Sequence, residues 1–219
     1  MARVPGGLGR LFLIFDYDRD GWLDLVVANY VTWAPELEAG LDCTYGTPDK
    51  DYCPVRYFQG EGLLLYHNRG DGTFDDVTDT AGVASSGTRA FAPAIFDLDD
   101  DGWLDIFVAS DGTPSRLWRN LGDGTFEDVG VQTGIVLDES GAAYAGIGID
   151  FTFPRNNDQL CVAIGNFVGE PTTMHCRVPC NRWCRRSRIM LRRMSISDPF
   201  ITASGSTIRL GSMPARPKG

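Results

Sequence analysis

A nine-residue acidic sequence, present twice, is the feature that most constrains this chain. Residues 16–24 read DYDRDGWLD, and residues 97–105, 81 positions later, read DLDDDGWLD. Both copies have aspartate at positions one, three, five and nine and glycine at position six. Carboxylates this close repel one another unless a cation lies among them, and Ca²⁺ takes six to eight oxygen ligands at about 2.3–2.6 Å. The repeat therefore predicts two calcium-binding loops.

Alternate positions of each loop supply the predicted ligands. The glycine permits a sharp turn, and the tryptophan at position seven would add its backbone carbonyl oxygen. The candidate metal-binding residues are Asp16, Asp18, Asp20, Trp22 and Asp24 in the first loop and Asp97, Asp99, Asp101, Trp103 and Asp105 in the second. The alternative is a solvated acidic turn without metal, and two complete copies with the same GWLD ending argue against it.

An EF-hand is the other calcium-binding loop with a similar beginning. It requires a glutamate at position twelve and a helix on each side. Here position twelve is Val27 or Val108, and the flanking segments have the composition of strands. The sequence therefore excludes an EF-hand.

Short apolar runs rich in β-branched and aromatic residues surround each acidic loop and predict β-strands. Each unit continues with a third run, a GDGTF turn and a fourth run. The predicted strands are 11–15, 23–30, 63–68 and 73–77 in the first unit and 91–96, 104–110, 116–120 and 125–129 in the second. Four short antiparallel strands per repeated unit are typical of a β-propeller blade. We therefore expect an all-β fold, a partial β-propeller of two to three blades, with no long helix.

The first unit carries an insertion at residues 33–62, which contains Cys43 and Cys53. A disulfide between them would close a loop of about 11 residues and stabilise the fold by roughly 2–3 kcal/mol. It would also favour an oxidising compartment. Two reduced surface thiols are the alternative, and the sequence leaves both open.

A third unit begins at residues 145–150 and continues through 160–167. Its loop lacks the acidic pattern, because Phe153, Arg155 and Asn157 stand at positions one, three and five, and Cys161 stands at position nine. An arginine at a ligand position opposes a cation. We expect no calcium in the third loop.

Charge divides the chain into an acidic body and a basic tail. Residues 1–176 contain 28 acidic and 10 basic side chains, whereas residues 177–219 contain one acidic and 10 basic side chains. We expect residues 1–176 to form the blades and residues 177–219 to be a disordered or non-native tail. The spacing of Cys176, Cys180 and Cys184 matches no zinc or iron–sulfur pattern. Arginine-mediated nucleic-acid binding by the tail is an alternative function.

The acidic loops between strands resemble the FG-GAP/VCBS repeat. The sequence LYHNRGDGTFDDVTDTAGV at residues 65–83 and the cysteine-containing insertion are similar to the cartilage-acidic-protein-like branch of that family. The resemblance implies a seven-bladed propeller with Ca²⁺ bound in its blades, an extracellular or cell-surface location and a non-enzymatic role in adhesion or ligand binding. It assigns metal binding to the eight aspartates of the two loops.

The expected function is a calcium-stabilised module that binds a protein or carbohydrate ligand. The chain has no membrane span and no visible export signal, and two to three blades predict either a piece of a larger propeller or self-association. A propeller-based hydrolase or lyase acting on polysaccharide is the enzymatic alternative. Few side chains suit such catalysis, because the chain has two histidines, His67 and His175, and no recognisable nucleophile motif. We expect His67 to be a surface or packing residue.

Overall fold

Antiparallel sheets make up most of the fold. The computed structural model describes residues 7–44, 52–138, 140–152, 160–167, 169–177, 191–195, 201–204 and 207–210. The first sheet contains β1 (Gly7–Phe15), β2 (Asp24–Thr32), β3 (Gly60–Asn68) and β4 (Phe74–Asp76). The second contains β5 (Ala90–Phe96), β6 (Asp105–Ser110), β7 (Arg116–Asn120) and β8 (Phe126–Asp128). The third contains β9 (Gly146–Thr152), β10 (Cys161–Asn166), β11 (Thr173–Arg177) and β12 (Leu191–Ser195).

The predicted fold class is confirmed, because each repeated unit forms one four-stranded antiparallel sheet with its strands in chain order. Strand β3 begins earlier than predicted, at Gly60, inside the segment assigned to the insertion. Gly62 has a φ of +79°, and a Cβ atom there would lie 2.4 Å from the carbonyl oxygen of Ser85. Glycine therefore lets the start of β3 approach the next loop closely, a use of glycine that strand composition does not reveal.

The sheets lie face to face like neighbouring propeller blades, with the edge strands β1, β5 and β9 in succession. Alternate residues of β6 supply two separate cores. Ile106 and Val108 pack toward the first sheet, and Phe107 and Ala109 pack toward the third. Because all six residues of β6 are buried, the second sheet is covered on both faces.

The outer face of the first sheet is only partly covered in the described part of the chain, because Val27 on β2 is buried there whereas the edge strand β1 is exposed. Phe15 and Leu65 contribute to the core shared with the second sheet. Phe12 and Ile14, which point the other way along β1, are 69% and 63% exposed. An exposed apolar face of this kind favours association with another surface.

The insertion contains two short helical segments that the sequence did not predict, α1 (Pro35–Ala39) and a 3₁₀ turn (Val55–Tyr57). A disulfide joins Cys43 and Cys53. It confirms the oxidised alternative and closes the insertion against the end of β2. A second short helix, α2 (Gly130–Thr133), follows β8.

Three strands lie beyond Cys176, in the segment where the sequence indicated few strand-forming runs. Strand β12 pairs with β11, and β13 (Ile201–Ser204) pairs with β14 (Thr207–Leu210) in a separate two-stranded sheet. The division of the chain at residue 177 remains a prediction.

Candidate metal centres

Each acidic loop joins two paired strands, as the sequence predicted. The first loop connects β1 to β2, where Phe15 faces Asp24, and the second connects β5 to β6, where Phe96 faces Asp105. Gly21 and Gly102, at position six, have φ values of +93° and +88°. Only glycine adopts this backbone conformation without strain, so the predicted role of the glycine is confirmed.

Position four is a second place where the backbone of each loop turns sharply. Arg19 and Asp100 have φ values of +61° and +65°, in the left-handed region. Non-glycine residues adopt this conformation rarely. Two left-handed residues, at positions four and six, curl each loop so that its odd-numbered side chains converge.

The first loop brings oxygens of its carboxylates together. One oxygen from each of Asp16, Asp18 and Asp24 lies within 4.8 Å of the others. The Gly21 N–H donates to Asp16 Oδ2 (3.0 Å), whereas Asp16 Oδ1 is buried without a hydrogen-bond partner. An unpaired buried carboxylate oxygen is costly unless a cation or water satisfies it.

The second loop repeats this arrangement with Asp97, Asp99 and Asp101, whose oxygens also lie within 4.8 Å of one another. The Gly102 N–H donates to Asp97 Oδ2 (2.8 Å). Here the buried oxygen without a hydrogen-bond partner is Asp99 Oδ1. Three convergent carboxylates and one unsatisfied oxygen fit a hard divalent cation such as Ca²⁺, which binds through oxygen.

The aspartates at position nine differ from the others because they are fully buried and hold the loop closed. Asp24 accepts hydrogen bonds from the N–H groups of Tyr17 (3.1 Å) and Asn68 (2.9 Å). Asp105 accepts them from Leu98 (2.7 Å) and Asn120 (2.8 Å). Asp24 also belongs to the first cluster, but Asp105 is not one of the three carboxylates of the second.

Crowded and buried carboxylates have raised pKa values. Burial raises the pKa of Asp105 to about 7, and the N–H donors of Asn120 and Leu98 oppose this shift. Burial, followed by the charge of Asp101, raises the pKa of Asp99. Burial also raises the pKa of Asp24. A bound cation would stabilise the ionised forms and lower these pKa values again.

A basic side chain from the third strand of each sheet lies against its acidic loop. His67 Nδ1 lies 3.3 Å from both Asp18 Oδ2 and Asp24 Oδ1. Arg119, at the equivalent position of β7, has Nη1 4.0 Å from Asp99 Oδ2. His67 was predicted to be a surface or packing residue, and Arg119 was not among the predicted site residues. The signal that could have identified them is strand register, because β3 and β7 come next to the loops only through their pairing with β2 and β6.

The tryptophans at position seven contact the glycine turn of their own sheet. A Cβ atom at Gly70 would lie 2.6 Å from the Trp22 ring, and one at Gly122 would lie 2.7 Å from the Trp103 ring. Each indole therefore lies directly over the turn between the third and fourth strands. Ligation by the tryptophan carbonyl oxygens remains a prediction, whereas this packing of the side chains was not foreseen.

The two loops also contact each other. The guanidinium carbon of Arg19 lies 3.9 Å from the centre of the Trp103 ring, and its Nη2 donates to the carbonyl oxygen of Gly102. The cation–π contact and the hydrogen bond join the position-four residue of one loop to the centre of the other. The two candidate metal centres thus share one end of neighbouring sheets.

The third loop differs from the other two at position nine. Phe153, Arg155 and Asn157 lie outside the described residues, as do the side chains of the cysteine- and arginine-rich segment from Cys176 onward. Cys161, at position nine, is buried and disulfide-bonded. The aspartate of the other two loops therefore has no acidic counterpart there.

No helix among the described residues is long and apolar enough to span a membrane.

Residues 49–108 and 97–153 each match the sequence profile of the FG-GAP-like repeat. The second acidic loop falls in both matched ranges, whereas the first precedes them. Cartilage acidic protein 1 of Homo sapiens is 38% identical to this chain over 58 residues, which are 26% of the chain and 9% of that protein.

The matched ranges cross the boundaries between the sheets described above. Residues 49–108 run from the insertion into β6, and residues 97–153 run from the second acidic loop through β9. Each range thus extends from one sheet into the next, as expected of a repeat whose units stack on their neighbours. Residues 49–153 therefore contain FG-GAP-like repeats, which fold into propeller-like blades built from antiparallel sheets.

Proposed function

We propose that this chain is a non-catalytic, calcium-stabilised module that binds an extracellular protein or carbohydrate ligand. The observation that carries the calcium assignment is the unsatisfied buried oxygen in each acidic loop, Asp16 Oδ1 in the first and Asp99 Oδ1 in the second. Both lie among carboxylates whose oxygens converge. Calcium would supply the missing positive charge and fasten the hairpin on either side of each loop.

The residues proposed to hold calcium are those predicted from the sequence. Asp16, Asp18, Asp20 and Asp24 would act in the first loop with the Trp22 carbonyl oxygen. Asp97, Asp99, Asp101 and Asp105 would act in the second with the Trp103 carbonyl oxygen. Both oxygens of Asp105 already accept backbone hydrogen bonds, and Asp105 is not one of the three convergent carboxylates of its loop.

An extracellular setting is supported by the Cys43–Cys53 disulfide, because such bonds persist in oxidising compartments. The sequence similarity to a human cartilage acidic protein is consistent with that setting. A role in binding follows from the FG-GAP-like repeats and from the loops and insertion that the sheets present at their ends.

Calcium-dependent stability tests the proposal. A site with a dissociation constant of about 10⁻⁴–10⁻³ M adds about 1.4–2.7 kcal/mol to the free energy of unfolding at 10 mM Ca²⁺. Asp99→Asn should remove the contribution of the second loop and Asp16→Asn that of the first, and the double variant should show no gain with calcium. In chelator, Asp99→Asn should not destabilise the protein, because burying a neutral amide relieves the crowding of charge.

Asp79→Asn is the matched control, since Asp79 is an exposed aspartate outside both loops. Chemical denaturation of all four variants, with 10 mM Ca²⁺ and with chelator, measures the gain directly. A double variant that retains the full gain with calcium would disprove the assignment of calcium to these loops.

A further inference from the structure

A cavity of about 340 Å³ lies in the insertion of the first sheet. It is lined by Tyr30, Val31, Trp33, Glu38, Tyr52, Cys53, Val55 and Phe58. The first acidic loop enters β2 at Asp24, whereas the cavity meets the other end of that strand, about 20 Å away at the usual rise per residue. The cavity is large enough for a small ligand and is separate from the candidate metal centres.

Contacts within the protein fix the walls of this cavity. Glu38 Oε2 accepts a hydrogen bond from Trp33 Nε1 (2.9 Å), and Glu38 Oε1 accepts one from the Cys53 N–H (3.1 Å). The Tyr30 hydroxyl donates to Asp111, and the Tyr30 ring packs edge-on against Phe91 with ring centres 5.2 Å apart. These contacts order the part of the wall formed by Tyr30, Trp33 and Glu38, which lowers the entropic cost of binding there.

The charge of the lining favours a cation. Among the described lining residues, Glu38 is the one acidic or basic side chain, and aromatic residues, whose ring faces are electron-rich, line the same cavity. The strong donors of Trp33 and Tyr30 are already used within the protein, so they do not favour an anion. The nearby Arg56 and Arg89 are not among the lining residues, and Arg89 donates to the carbonyl oxygens of Arg56 (3.2 Å) and Phe58 (3.4 Å).

We propose that this cavity binds an organic ammonium ion, with the methylated ammonium group against the aromatic rings and Glu38 as its counter-charge. Methylated ammonium groups suit such a cavity because their charge is spread over an apolar surface and they need no hydrogen-bond acceptors. The attraction of a cation to aromatic faces and to the partly buried carboxylate favours such a group over a neutral one of the same shape.

Choline and its neutral analogue 3,3-dimethyl-1-butanol test the proposal, because they share a shape and differ in charge. Calorimetric titration of the full chain should show choline binding at least about tenfold more tightly than the neutral analogue. Equal affinities would show an apolar cavity without preference for a cation, and the absence of choline binding would also overturn the proposal. Nα-acetyl-trimethyllysine methylamide, measured in parallel, distinguishes a modified protein side chain from a free ammonium compound as the source of the group.

Tyr52 and Tyr57 provide a matched pair of variants. Both side chains are exposed, but only Tyr52 lines the cavity. Tyr52→Leu should weaken choline binding at least threefold and leave the neutral analogue unaffected, whereas Tyr57→Leu should change neither. Glu38→Gln should bring the ratio of the two affinities toward one. Equal losses of choline binding in Tyr52→Leu and Tyr57→Leu, or an unchanged ratio in Glu38→Gln, would contradict the proposed site.

Discussion

Individual aspartates of the acidic loops have different tasks, although their spacing makes them look equivalent. Asp101 is exposed and caps the Trp103 N–H (2.8 Å) within its own turn. Asp105 is fully buried and accepts one backbone hydrogen bond from Leu98 within the loop and one from Asn120 in β7. We therefore expect Asp101 to stabilise the fold mainly through a bound cation and Asp105 to stabilise it with or without one.

Replacing these two aspartates separates the tasks. Asp105→Ala leaves the Leu98 and Asn120 N–H groups without acceptors and should lower the free energy of unfolding by about 2–4 kcal/mol, even in chelator. Asp101→Ala should cost little in chelator and should reduce the gain produced by calcium. Urea denaturation under both conditions measures the effects. Equal losses in chelator for both variants would contradict this division of roles.

At the scale of single residues, the sequence predicted the acidic clusters but not the basic side chains that lie beside them. Regular spacing within nine residues identified the convergent carboxylates and the glycine at position six. His67 and Arg119 could not be identified in the same way, because they reach the loops through the register of β3 and β7. Local spacing does not encode that register, which depends on how distant strands pair.

Among elements, the contact between each acidic loop and the glycine turn of its own sheet holds the ends of the sheet together. Trp103 lies over Gly122, which has a φ of +75°, and Trp22 lies over Gly70 in the same way. Gly124, two residues after Gly122, has a φ of +84° but no neighbouring atom within 4 Å of an added Cβ. Of the two glycines of this turn, only Gly122 therefore lies against the indole ring.

The two glycines offer a paired prediction. Gly124→Ala should cost about 1 kcal/mol, from backbone strain alone. Gly122→Ala should cost about 1–3 kcal/mol more, because the added methyl group displaces the Trp103 ring. Thermal unfolding measures the difference, and a change in tryptophan fluorescence specific to Gly122→Ala would report the displaced ring. Equal destabilisation by both substitutions would show that the indole is not held over the turn.

Arg119 gives the second prediction at the scale of elements. Its guanidinium lies 4.0 Å from Asp99 Oδ2, so it competes with a cation for the second loop. Arg119→Gln should strengthen calcium binding there by about tenfold at low ionic strength and by less at high salt. Calorimetry measures the affinities, with Arg116→Gln on the same strand as the control. Unchanged affinity would mean that Arg119 leaves the site when calcium binds.

Elements were predicted well where strand composition repeats and less well where it does not. Strand β7 was predicted at its observed bounds, 116–120, because turn residues enclose it on both sides. The helix α1 was not predicted, since five residues are too few to show a helical period. Its position depends on contacts made after folding, including the hydrogen bond from Trp33 to Glu38.

Across the whole molecule, the burial of the sheets is uneven. Every residue of β6 is buried, since the second sheet lies between the other two. The outer face of the first sheet exposes Phe12 and Ile14, side chains that the sequence placed in a strand without indicating which face would be covered. Burying two such side chains would contribute about 3–6 kcal/mol to association. We therefore expect this face to pair with another copy of the chain when it is free in solution.

Polar replacements on β1 test that expectation. Phe12→Ser combined with Ile14→Thr should weaken self-association at least about tenfold while leaving the free energy of unfolding of the monomer almost unchanged, because both side chains are exposed. Sedimentation equilibrium measures the dissociation constant, and Val131→Ser, an exposed apolar side chain of α2 outside the first sheet, is the control. Calcium bound in the acidic loops would leave the apolar surface of β1 exposed. We therefore expect calcium not to alter the difference in dissociation constant between the wild-type chain and the double variant. A wild-type chain that remains monomeric at all concentrations, with and without calcium, would show that this face does not drive assembly.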